Sequence, residues 1–155
     1  MKRLFLIFAL LQTFILSAYE LGIVTMFYNE APYLQEWIEY HLMVGVDHFW
    51  LYNNGSTDEW EEVLNPYIEK GIVEIRHVPY SDGPIGSHVP LQKKAIKEGI
   101  QLAEHKAKWI AVIDIDEFIL PRQHKTVIEC LEKEFSHASA IYVNWRNFGT
   151  SHITV

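Results

Sequence analysis

The sequence is poor in the groups that mark the commonest kinds of site. It has one cysteine, Cys130, so no intrachain disulfide and no paired-cysteine zinc site can form. Within VIECLEKEF, a helical pattern, Cys130 reads as a small apolar residue. No stretch gathers Lys and Arg, and the formal net charge is -7. That excludes the basic footprint of a nucleic-acid binder. No GxSxG elbow supports a Ser/His/Asp triad. No HExxH pairs any of the eight histidines, and no glycine-rich phosphate loop is present. Repeats, low-complexity tracts and internal linkers are absent. An acidic chain of this kind binds an anionic substrate only through a local positive centre, and a metal ion is one solution.

Long hydrophobic runs are also scarce. One runs from Leu4 to Leu16, behind Lys2 and Arg3 and ahead of Ser17-Ala18. This is the plan of a signal peptide. It is short for a membrane span, which needs about 20 apolar residues. Leu16, three residues before a cut after Ala18, fits the cleavage rule poorly, so an uncleaved anchor stays open. The expectation is a signal peptide or membrane anchor over residues 1–18, a chain membrane-associated or exported through it, and one domain over 19–155.

What remains has an ordinary globular composition, with 49% apolar and 21% charged residues. LGIVTMFY (21–28) reads as a buried strand. Pro32 then suits the first turn of a helix over 33–44, with Gly45 at its end. HFWLY (48–52) is a second strand. Ser56 and Glu59 have capping-box spacing before a helix carrying Trp60, Val63, Leu64 and Tyr67 on one face and ending at Gly71. IVEIRHV (72–78) is a third strand. A Gly/Pro loop over 79–89 leads to a helix from Leu91 to about His105, which Gly99 weakens. WIAVIDIDEF (109–118) is the fourth strand. Thr126 and Glu129 form a second capping box before a short helix, and AIYVNW (140–145) is a fifth strand. Strands alternating with helices predict an α/β sandwich with a mostly parallel sheet.

Ligands of parallel α/β sheets bind beyond the carboxyl ends of the strands. Three such ends carry polar clusters: Asn29-Glu30, Asn53 to Asp58, and Asp114 to Glu117. On a strand, Asp114 and Asp116 would point the same way while Ile115 faces the core. Two adjacent carboxylates repel, and one would stay protonated unless a cation lay between them. A divalent ion with oxygen ligands removes that conflict and can neutralise a substrate diphosphate. A DxD by itself reads more readily as a solvated strand end with a helix-capping role; the apolar run before it and the convergent clusters favour the ion. Asn-Gly-Ser-Thr-Asp is likewise ordinary turn chemistry as well as a place to grip a base or ribose. Each histidine reads as structural or exposed, with His88 set apart because its Gly/Pro loop lies near the presumed site.

The order FYNEAPYLQEWIEYHLMVGVDHFWLYNNGSTDEW, VPLQKKAI, KWIAVIDIDEFILP and VNWRNFG resembles glycosyltransferase family 92, a group with the GT-A nucleotide-sugar fold. The resemblance runs over about residues 21–149 and rests on the motifs together. It implies a Rossmann-like sandwich and metal-dependent transfer of a sugar from a nucleotide donor, a UDP-sugar, to a glycan or other acceptor, with inversion at the sugar. It makes Asp114 and Asp116 the DxD motif that binds Mn2+ or Mg2+ and the donor diphosphate. It places Asn29, Glu30, Asn53, Asn54, Asp58 and Gln92 on the donor, and Trp145 and Arg146, with Phe148 and Gly149, on the acceptor side. Glu117 stands as a supporting group or base, although its DEF context reads as structural. No residue is assigned as the base.

Against the family pattern the chain stops soon after WRNFG, which carries the expectation of a domain incomplete on its C-terminal side. His152 lies too near the end to be assigned the metal-side role of a later histidine. The alternatives are therefore a donor-binding fragment or subunit without a complete catalytic site, and a haloacid-dehalogenase-like phosphatase. In the phosphatase, Asp114 would be the nucleophile and Asp116 the acid/base. Lys125 and Lys133 follow, but no second acidic strand end does.

Overall fold

A computed structural model describes residues 18–79 and 88–148. The described chain runs β1 (Tyr19–Phe27), α1 (Ala31–Met43), β2 (His48–Asn53), α2 (Trp60–Glu69), β3 (Val73–His77), α3 (His88–Ala103), β4 (Ala107–Val112) and α4 (Val127–Glu134). The four strands form one sheet in the order β3-β2-β1-β4, and every pairing is parallel. The expected α/β class with a parallel sheet is observed.

The burial of each strand follows from its place. β2 is buried throughout and β1 nearly so, because both are interior strands covered on two faces. Leu21, Ile23, Phe27, Phe49 and Leu51 pack with Leu34, Trp37 and Ile38 of α1 and Leu64 of α2. On the opposite face Val24, Trp50 and Tyr52 meet Ala95 and Ala103 of α3. The helices α1 and α2 are followed by Gly45 (φ 104°) and Gly71 (φ 71°), the left-handed positions that let the chain leave a helix.

Four expectations need correction. Ala140–Trp145 is not a fifth strand: residues 140–148 have no regular structure, and Tyr142 and Trp145 are 97% and 80% exposed. The alternating pattern is there, but among the described residues no strand pairs with it, and a strand needs a ladder for its backbone groups. Ser56 and Glu59 do not form a capping box. Glu59 is the N-cap of α2 and makes no side-chain cap bond, while Ser56 Oγ accepts the backbone N–H of Asn29. The second box is half made: Thr126 Oγ1 accepts from the Glu129 N–H, and the Glu129 carboxylate takes the N–H of Lys125 rather than that of Thr126. Finally, β4 ends at Val112, so Asp114 and Asp116 lie on the turn beyond it rather than on the strand.

Residues 1–17, 80–87 and 149–155 lie outside the described residues, and with them most of the expected anchor, most of the Gly/Pro loop, Gly149 and His152. No helix among the described residues is long and apolar enough to cross a membrane.

Candidate functional site

The strand order decides where a site can form. From β1 the chain steps outward through β2 to β3 on one side, and returns to place β4 on the other. The strand order switches direction between β1 and β4, and a crevice opens there at the strands' carboxyl ends. A cleft of about 440 Å³ lies there. Met26 and Phe27 line it from the end of β1, Tyr28 and Glu30 from the loop that follows, Asn54 from the loop after β2, Gln92 from α3, and Asp114, Ile115 and Asp116 from the turn after β4.

The turn is built from its own residues. The Glu117 N–H donates to the Asp114 carbonyl at 3.1 Å. The Asp114 N–H donates back to Glu117 Oε2 at 3.0 Å. Ile115 is buried in the core, which leaves the acids on either side of it at the cleft. Glu117 thus shapes the turn and does not line the cleft itself. Gln92 Nε2 donates to Asp114 Oδ1 at 3.4 Å, which links α3 to the acid pair.

The electrostatics are those of crowded negative charge. Burial pushes the Asp114 carboxyl above its usual range, and Asp116 beside it pushes the same way. Glu30 is raised by burial first, then by Asp116 and Asp58. Among the described residues no group of three or more His, Cys, Asp or Glu is gathered closely enough to hold a metal unaided. Two carboxylates with substrate phosphates are nevertheless an ordinary coordination set for Mg2+. Asp114 and Asp116, hard oxygen donors that repel each other at a cleft, fit such an ion.

The other residues expected on the donor divide into two groups. Glu30, Asn54 and Gln92 reach the cleft. Asn54 is 3% exposed, and its Oδ1 has no hydrogen-bond partner, so an acceptor is held at the wall with its capacity unused. Asn29 and Asp58 instead tie the loops after β1 and β2 together, and Asn53 shapes the turn after β2. Asn29 takes the left-handed conformation (φ 55°), which asparagine tolerates, and its Oδ1 accepts the Thr57 N–H. Asn53 Oδ1 accepts the Ser56 N–H. Asp58 Oδ2 accepts the Ala31 N–H at the start of α1. Trp145 and Arg146 do not line the cleft. His88 begins α3.

Sequence reasoning passed over Met26, Phe27 and Tyr28 as cleft walls, because they read as strand. It also passed over the polar side chains of α1. Their signal was His41, a titratable residue on the helix's apolar stripe.

A sequence profile of glycosyltransferase family 92 matches residues 19–154. The chain belongs to glycosyltransferase family 92. Similar proteins include a glycosyltransferase family 92 protein of Arabidopsis thaliana, 29% identical over 109 residues, 70% of this chain and 18% of that protein. One from Oryza sativa subsp. japonica is 32% identical over 104 residues, 66% of this chain and 16% of the relative. A galactan beta-1,4-galactosyltransferase of Arabidopsis thaliana is 31% identical over 99 residues, 61% of this chain and 19% of that enzyme. This family 92 chain therefore spans less than a fifth of the length of these relatives. The family assignment does not favour the phosphatase alternative.

Proposed function

We propose that the chain serves glycosyl transfer by binding a nucleotide-sugar donor, a UDP-sugar, in the cleft between the β1 and β4 loops, with Mn2+ or Mg2+ on Asp114 and Asp116. The observation that carries this is the pair of mutually repelling carboxylates set at the topological switch point. When bound, the ion neutralises the diphosphate that becomes the leaving group. Gln92 orients Asp114 through its amide. Asn54 offers its unpartnered oxygen to an N–H or O–H of the nucleoside. Met26, Phe27 and Tyr28 supply the apolar wall of a nucleoside pocket.

In the transfer, the bond from the anomeric carbon to the diphosphate oxygen breaks as an acceptor hydroxyl bonds to that carbon and releases its proton. A glycan is the acceptor class, and likeness to a galactan galactosyltransferase makes a hexose, galactose first, the sugar to test. Residues 1–18 would carry the domain to a membrane or through it.

Calorimetric titration of the full chain with UDP-galactose and UDP-glucose, with Mn2+ and with EDTA, tests the proposal. Mn2+ is expected to tighten binding by an order of magnitude or more, and the Asp114→Ala/Asp116→Ala double variant to lose that gain. Equal affinity in Mn2+ and EDTA would sink the metal-site reading.

A further inference from the structure

The acid turn is anchored at one end by β4, and its other end is held by α1. Trp37, Tyr40 and His41 sit at i, i+3 and i+4, one face of that helix. All three bond to the backbone just past the turn. Trp37 Nε1–H donates to the Glu117 carbonyl at 2.9 Å. The Tyr40 hydroxyl donates to the Ile119 carbonyl at 3.1 Å. The Ile119 N–H donates to His41 Nε2 at 3.3 Å. A backbone N–H can only donate, so Nε2 is the acceptor and the proton sits on Nδ1, which gives it to the Trp37 carbonyl at 2.8 Å. Phe118, between the bonded residues, stacks on His41 and meets Tyr40 edge-on.

These bonds are specific in what they reach. They do not close α1 on the sheet, since Leu34, Trp37 and Ile38 do that by apolar packing. They hold residues 117–119, and Glu117 is the residue whose N–H and carboxylate close the turn around Asp114. Asp116 stands between those two fixed points. With the far end released, the turn would hang on β4 and the buried Ile115, and Asp116, beyond that anchor, would no longer keep one distance from Asp114. A cation shared by two carboxylates demands that distance.

We infer that Tyr40 and His41 are positioning residues for the acid pair: they set the Asp114–Asp116 geometry through the backbone of residues 117–119 without touching the ligand. The inference rests on the donor-site reading and assigns that site a control from α1. Supporting groups of this kind change metal affinity by roughly 10- to 100-fold.

The test uses the full chain and Mn2+ with UDP as the probe. Tyr40→Phe removes one hydroxyl and keeps the ring. His41→Leu removes the acceptor, and His41→Gln returns an oxygen near the place of Nε2. Tyr40→Phe and His41→Leu are expected to weaken Mn2+-dependent UDP binding about tenfold, with metal-free UDP binding unchanged and His41→Gln recovering most of the loss. Tyr40→Phe keeps the core packing, so its affinity can be read in a folded protein even where His41→Leu folds poorly. Folded Tyr40→Phe that binds Mn2+ and UDP as the parent does overturns the inference. Where the parent itself shows no Mn2+ dependence, the donor-site reading fails, and amide exchange then judges the brace. Faster exchange of the Asp114 and Glu117 amides in Tyr40→Phe supports it, and unchanged exchange overturns it.

Discussion

At the scale of single residues, Gly99 shows how a local rule can point the wrong way. Helix propensity counts glycine against α3 by about 1 kcal/mol relative to alanine. The fold needs it for another reason. A Cβ built there would stand 2.4 Å from Val24 Cγ1 and 3.0 Å from Tyr52 Cε2. The missing side chain is what lets α3 lie close on β1 and β2. Propensity alone predicts that Gly99→Ala stabilises. Packing predicts a net loss of about 1–3 kcal/mol, because Val24 is fully buried and Tyr52 nearly so and neither can retreat cheaply. Urea unfolding of the two proteins gives the sign. The same limit applies to Asn29, Asn53 and Asp58. Their types announce turn-making or ligand-gripping equally well; Asn53 makes a local turn bond, and only the approach of one loop to another shows that Asn29 and Asp58 tie loops.

At the scale of elements, what was legible depended on whether the signal is local. The four described strands and the four helices lie where periodicity, prolines and glycines put them, to within a few residues except at the end of β4, which stops at Val112 and not at Phe118. The strand ends also predict the cleft, since ligand sites follow strand direction in any parallel sheet. Caps were less legible, because a cap can come from far away in sequence. Glu30, the N-cap of α1, makes no side-chain cap bond. The orphan Ala31 N–H is taken at 2.7 Å by Asp58, which comes from the loop after β2 and also lays negative charge on the positive end of the helix. Asp58→Ala is therefore expected to cost about 1–2 kcal/mol, read by thermal or urea unfolding, although Asp58 opens no helix of its own. An effect within 0.3 kcal/mol of zero would mean that water satisfies Ala31 as well as Asp58 does. The segment 140–145 marks the opposite failure. Its strand pattern is genuine, but a strand exists only by pairing, and pairing is not written in the segment.

At the scale of the whole molecule, His41 joins the core to the acid turn, and its protonation state is set by both. It is fully buried between an acceptor and a donor that suit only the neutral ring. Burial drives its pKa down from 6.5 to about 4, against the pull of the Trp37 carbonyl. The sign of the consequence follows from linkage. Between pH 6.5 and about 4 the unfolded chain binds a proton that the folded chain refuses, so folding loses stability as pH falls through that window. Above pH 6.5 both states are neutral at this site and the contribution is complete. From pH 7 to pH 4.5 the loss from this one group is about 2–3 kcal/mol. Chemical unfolding at a series of pH values measures it, and His41→Gln, which has no proton to bind, separates it from the carboxylates that titrate nearby in pH. The parent should lose stability more steeply than His41→Gln on acidification, and parallel profiles would contradict a neutral buried ring. Because the same imidazole grips Ile119, acid would loosen the far end of the Asp114–Glu117 turn at the moment it weakens the core.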